Sequence, residues 1–85
     1  MNEKRIEYVF NNIQFMADVR GEMPKGSSLR DIQAQTSVNA STLSRLDNGF
    51  PIDMDTFLTI CSKLDLMPGN YFSRRIWELR DNDDE

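Results

Sequence analysis

Apolar residues recur along this chain at spacings that suit helices. Between residues 3 and 20, Ile6, Val9, Phe10, Ile13, Met16 and Ala17 share one stripe of a helical projection, with Glu7, Asn11, Gln14 and Asp18 opposite. The spacing predicts a first helix over residues 3–20 with that stripe in the core. Tyr8, Phe15 and Val19 make a second apolar strip nearly opposite. A small domain has no core on two sides of one helix, so the last helix, a second subunit, or both are expected to cover this strip. Residues 20–27, RGEMPKGS, form a loop, with Gly21 as a helix stop and Pro24 and Gly26 as breakers.

The next stretch, SLRDIQAQTSVNASTLSRLDNG over residues 28–49, holds two short helical patterns joined by a tight turn. Ser28 can cap a second helix, with Asp31 three residues on, and that helix runs to about Thr36. Ser37-Val38 make the turn. Asn39 caps a third helix through Asp47, which Asn48-Gly49 stop. Ile32, Thr36, Val38, Leu43 and Leu46 fall inward. Asn39, Ala40, Ser41, Thr42, Ser44 and Arg45 are left outside, a small polar surface of the kind that can enter a DNA major groove and hydrogen-bond base edges. Phe50-Pro51-Ile52 is an apolar loop, and Asp53 caps a fourth helix with Asp55 in its first turn. Phe57, Leu58, Ile60, Cys61 and Leu64 form its inward face. A last helix is expected from Pro68 to Leu79, with Phe72, Ile76 and Leu79 in the core and Trp77 beside Tyr71 or solvent. The expected fold is all-α: a compact five-helix domain, residues 1–80, with a central helix-turn-helix and an acidic disordered tail over residues 81–85.

Residues 28–49 resemble the helix-turn-helix of the Cro/repressor-like (XRE-type) DNA-binding regulators. The likeness continues through MDTFLTICSKLDLMPGNYF to Phe72 and covers about half the chain. It rests on S-L-R-D-I, S-T-L-S-R-L-D-N-G and L-D-L-x-P-x-x-Y-F in that order. The resemblance implies a lambda repressor-like fold and base-reading positions at Asn39, Ala40, Ser41 and Arg45. It departs at three places. Leu29 stands where a phosphate-gripping glutamine is usual, and Arg30 is the neighbour able to take over that role. Gln33 stands where a small residue lets the helices approach. Ser37 replaces the turn glycine and is expected to hold a left-handed backbone. The loop over residues 20–27 is also longer than the family's usual connection.

Charge complicates the DNA reading. The chain of 85 residues carries 14 acids against 10 bases, a net −4, whereas phosphate contacts favour a basic face. Four of the acids are Asp81, Asp83, Asp84 and Glu85, so residues 1–80 balance to zero. The size bounds the chain to one small domain. There is no apolar run long enough for a membrane span and no charged-then-apolar leader. Cys61 is the only cysteine and there is no histidine, which removes zinc-finger and His-dependent readings. Cys61 is expected as a buried thiol, in keeping with a reducing bacterial or phage-infected cytoplasm.

Together these features lead to the expectation of a sequence-specific transcriptional regulator, a repressor, that binds a pseudo-palindromic double-stranded operator as a homodimer. It needs no cofactor or metal and performs no catalysis. Expected base contacts are Asn39, Ala40, Ser41, Thr42 and Arg45, with Asn39 reading adenine or serving only as a cap, and Arg45 reading guanine or pairing with Asp47 or Asp31. Expected phosphate contacts are Lys25, Ser28, Arg30, Ser44 and Asn48; Lys25 is alternatively a solvated loop lysine. The expected dimer interface is Tyr8, Phe15, Val19, Tyr71 and Trp77. The competing expectation is a protein-interaction module on the same fold, such as an antirepressor or antitoxin, partnered with a toxin or another regulator. Its support is the overall acidity, Leu29, and Asp53 and Asp55 where basic residues are usual.

Overall fold

The computed structural model describes residues 2–80, and the acidic tail over residues 81–85 lies outside them. The chain runs β1 (Asn2–Phe10), α1 (Asn12–Gly21), α2 (Leu29–Thr36), α3 (Ala40–Asp47), α4 (Met54–Leu64), a single 3-10 turn (Pro68–Tyr71) and β2 (Phe72–Arg80). Four α-helices and one two-stranded antiparallel sheet make this a mixed α/β fold, which corrects the all-α five-helix expectation.

Both errors lie at the ends of the described chain. The expected helix over residues 3–20 is a strand followed by a shorter helix. The expected helix from Pro68 to Leu79 is one 3-10 turn followed by a strand. Residues 4–10, KRIEYVF, satisfy the helical spacing and also alternate, with Ile6, Tyr8 and Phe10 on one side and Arg5, Glu7 and Val9 on the other. The alternating choice suits their β-branched and aromatic side chains and gains a partner: Ile6 pairs with Ile76, Tyr8 with Arg74, and Phe10 with Phe72. Asn11 ends the strand, its N–H bonding Tyr71 O at 2.7 Å and its side-chain amide donating to Ser73 Oγ at 3.0 Å.

This shift re-phases α1. Phe15, Met16 and Val19 are its buried residues, so the strip expected to face a partner faces the core instead. Ile13, expected in the core, is 82% exposed. Leu58 and Ile76 were likewise expected inside, and both are exposed because α4 and β2 turn those positions away from the helical body. The actual core joins Phe15 and Val19 of α1, Ile32 of α2, Leu43 and Leu46 of α3, Phe57, Ile60 and Cys61 of α4, and Tyr71. Cys61 is buried there as a free thiol, and desolvation pushes its pKa up. The Tyr71 hydroxyl donates to Asp18 Oδ2 at 2.7 Å, so the one polar tip of the aromatic cluster is satisfied.

Local chemistry sets the α2–α3 pair. Ser28 and Asp31 form a reciprocal capping box at the start of α2, and Asn39 caps α3 by accepting from Ser41 N–H. Thr36, fully buried, donates to Ile32 O at 2.7 Å and accepts from Val38 N–H at 3.2 Å, which fixes the chain as it leaves α2. Ser37 sits in the left-handed region at φ 66°. Glycine adopts that conformation without the Cβ penalty, so Ser37→Gly is expected to raise stability by up to about 1 kcal/mol, checked by urea denaturation.

The body and the ribbon differ in shape. β1 and β2 pair along their full length, and the molecule measures 56 × 22 × 22 Å, so the ribbon projects as an arm. Phe10 and Phe72 root it by packing on Phe57, at 5.3 and 5.5 Å between ring centroids. From Lys4 to Tyr8 and from Phe72 to Glu78 the described side chains are exposed. No described helix is long and apolar enough to cross a membrane.

Candidate nucleic-acid interface

The outward face of α3 is free of packing duties. Leu43 and Leu46 are fully buried, whereas Asn39, Ser41 and Arg45 are exposed and Ala40, Thr42 and Ser44 partly so. The two helix ends are tied down by side chains. Asn39 Oδ1 accepts from both Ser41 N–H and Ser41 Oγ, each at 2.8 Å, so Asn39 is a cap whose amide group remains free to donate. Gln33 reaches across the turn, its Oε1 accepting from Ala40 N–H at 2.7 Å. It thus serves as a second cap joining α2 to α3. At the other end, Asn48 Nδ2 donates to Ser44 O at 2.8 Å.

Arg45 lies in the last turn of α3, where a cation suits the helix dipole. It makes no ion pair with Asp47 or Asp31. Its guanidinium carbon stands 5.8 Å from the centroid of the Phe50 ring, and Phe50 N–H bonds Arg45 O at 2.9 Å. The half-exposed ring therefore supports a guanidinium whose hydrogen-bond donors still face outward.

Asp47 is engaged elsewhere. Arg20 of α1 grips it with two hydrogen bonds, Nη1 to Oδ1 at 2.9 Å and Nη2 to Oδ2 at 2.7 Å. The hydrogen bonds from Arg20 hold the Asp47 carboxyl below its ordinary value, and Asp47 raises Arg20 in turn. A depressed carboxylate contributes stability above its unfolded pKa and loses it as pH falls through the folded one. Asp47→Asn is thus expected to lower the melting temperature at pH 7, by a shift worth no more than about 1 kcal/mol for an exposed pair. The difference should shrink as pH falls below the ordinary carboxylate range and through the depressed Asp47 value, which a series of melts would check.

The expected phosphate contacts are unequal. Lys25 and Arg30 are exposed and, among the described residues, form no ion pair. Ser28 spends its N–H on Asp31 Oδ2 at 2.8 Å, which places a carboxylate at the start of α2, where a phosphate would meet it unfavourably. Of the expected interface residues, Phe15, Val19 and Tyr71 are at most 1% exposed inside their own subunit, which corrects their assignment to a dimer contact. Tyr8 and Trp77 are exposed, on opposite faces of the ribbon.

The ribbon also redistributes charge. Residues 11–71 hold seven acids and five bases, whereas β1 and β2 hold three acids and five bases. The balance expected over residues 1–80 is therefore a slightly acidic body and a slightly basic arm. The helical reading of the chain ends concealed this. Period-two alternation was the signal able to reveal it. Comparison with protein-family models, with curated proteins and with solved structures returns no match.

Proposed function

We propose that this protein is a sequence-specific DNA-binding regulator that inserts α3 into a major groove and represses transcription as a homodimer on a pseudo-palindromic operator. The observation that carries this reading is the outward face of α3. Asn39, Ser41 and Arg45 take no part in the core, yet both ends of the helix are capped and Arg45 rests on Phe50 with donors to spare. Arg45 suits bidentate recognition of guanine O6 and N7, the free Asn39 amide suits a base or phosphate acceptor, and the Ala40 methyl suits thymine. Lys25 and Arg30 supply phosphate contacts.

A mobility shift on the DNA upstream of the protein's own gene tests the proposal. With Lys25 and Arg30 as the phosphate-contacting cations of each subunit, a dimer is expected to show a salt slope of about −4 in log K against log salt. A discrete complex with that slope supports an operator reader. Absence of any complex would transfer the weight to a protein-interaction module on the same scaffold. The observations favouring that second reading are the carboxylate of Asp31 at the start of α2 and the neutralisation of Arg20 by Asp47.

A further inference from the structure

The arm poses a physical problem. An isolated two-stranded ribbon is marginal in water, because neither face is covered. Here Phe10 and Phe72 anchor one end, but the same face continues outward with Ile6, Tyr8 and Ile76, which are 49%, 66% and 54% exposed. Nothing among the described residues covers them.

The charges on this face indicate what does. Arg74, Ile76 and Glu78 lie at alternate positions of β2, so they share the face, with opposite charges one step to either side of the isoleucine. Such a row is self-complementary when reversed. A two-fold axis through the Ile6–Ile76 rung lays one ribbon face to face on another, with β2 antiparallel over β2. Arg74 then meets Glu78 of the second copy twice over, and the isoleucines stack at the centre. On β1 the same operation sets Lys4 over the Tyr8 ring. On the opposite face Arg5, Glu7 and Arg75 separate Val9 from Trp77, and the Arg75 guanidinium stands 5.8 Å from the centroid of the Trp77 ring, so the apolar residues there are not contiguous.

We infer that the Ile6–Tyr8–Ile76 face of the ribbon is the homodimer contact, occupied by the same face of a second copy, with reciprocal Arg74–Glu78 pairs fixing its register. The contact is isologous, as a closed dimer requires. It gives the dimer of the proposed function its interface, but it does not depend on DNA binding and is tested without DNA.

Sedimentation of the full chain over a dilution series, together with crosslinking of introduced thiols by a bifunctional thiol reagent, provides the test. Ile6→Cys is expected to give a covalent dimer with a thiol–thiol crosslinker of about 10 Å reach, because Ile6 faces its own counterpart across the axis at the spacing of packed sheets. Arg5→Cys, on the other face, is expected to give none, and buried Cys61 should not crosslink in the unaltered chain. Arg74→Glu should weaken the dimer about tenfold or more by opposing like charges, and Arg74→Glu with Glu78→Arg and Lys4→Glu, the last so that position 78 does not oppose a like charge on its own rung, should restore it. A monomer at every concentration overturns the inference. So does a dimer that Ile6→Cys fails to trap, since ribbons joined edge to edge through β2 hold the two Ile6 side chains apart. Failure of the charge exchange to restore association overturns the register.

Discussion

Phe57→Ala is expected to remove about 3–5 kcal/mol of stability, the largest loss of any single substitution considered, and urea denaturation measures it. Phe57 is 3% exposed, and its ring lies 4.9 Å from Phe15, 6.3 Å from Tyr71, 5.3 Å from Phe10 and 5.5 Å from Phe72 between centroids. The first two belong to the helical body and the last two to the ribbon. Truncation therefore opens a cavity and also detaches the arm from its root. A domain of this length has about 4–13 kcal/mol in total, so the variant should stand at the edge of unfolding. A loss below about 1 kcal/mol would show that the root of the ribbon is not packed through this ring.

Arg45→Ala is expected to cost about 1–3 kcal/mol in operator affinity and to relax specificity at one base pair of each half-site. Binding titrations on single-base operator variants measure both. The melting temperature should hardly move, because the Arg45 side chain is exposed and Leu43 and Leu46 keep α3 in place. That separation of binding from folding is the result that would mark Arg45 as a reader. Arg45→Lys should recover little, since an ammonium lacks the planar fork that matches two guanine acceptors. Unchanged affinity in Arg45→Ala would remove the assigned role.

What could be read from the residues alone was the part governed by near neighbours. The caps at Ser28, Asn39 and Asp53, the left-handed turn at Ser37 and the inward set Ile32, Thr36, Val38, Leu43 and Leu46 depend on interactions within about four residues, and the structure has each of them. The outward face of α3 followed from the same periodicity. The ribbon was not accessible in this way. Its register joins Ile6 to Ile76 and Phe10 to Phe72, and no local window contains both members of a pair. With the partner out of view, the i, i+3, i+4 coincidence of Ile6, Val9 and Phe10 outweighed the equally valid alternation. The error then propagated: a helix begun at residue 3 carries the wrong phase into α1, which is why Phe15 and Val19 were assigned to a partner. Within the site, the Arg20–Asp47 grip was invisible for the same reason. It changes the charge available to a ligand, because Asp47 neutralises Arg20.

The pairing of β1 with β2 also carries a consequence for biosynthesis. β1 leaves the ribosome before residues 11–71 and β2 after them, and at about 5–20 residues per second the first strand waits several seconds for its mate. The helices, whose contacts are more local, can form in that interval, so closing the ribbon is expected to be the last folding event. During the wait, β1 on one nascent chain can be captured by β2 of a finished neighbour, since the hydrogen bonds are the same within or between chains. High expression would then favour strand-exchanged dimers, distinguishable from the face-packed form by their persistence on dilution.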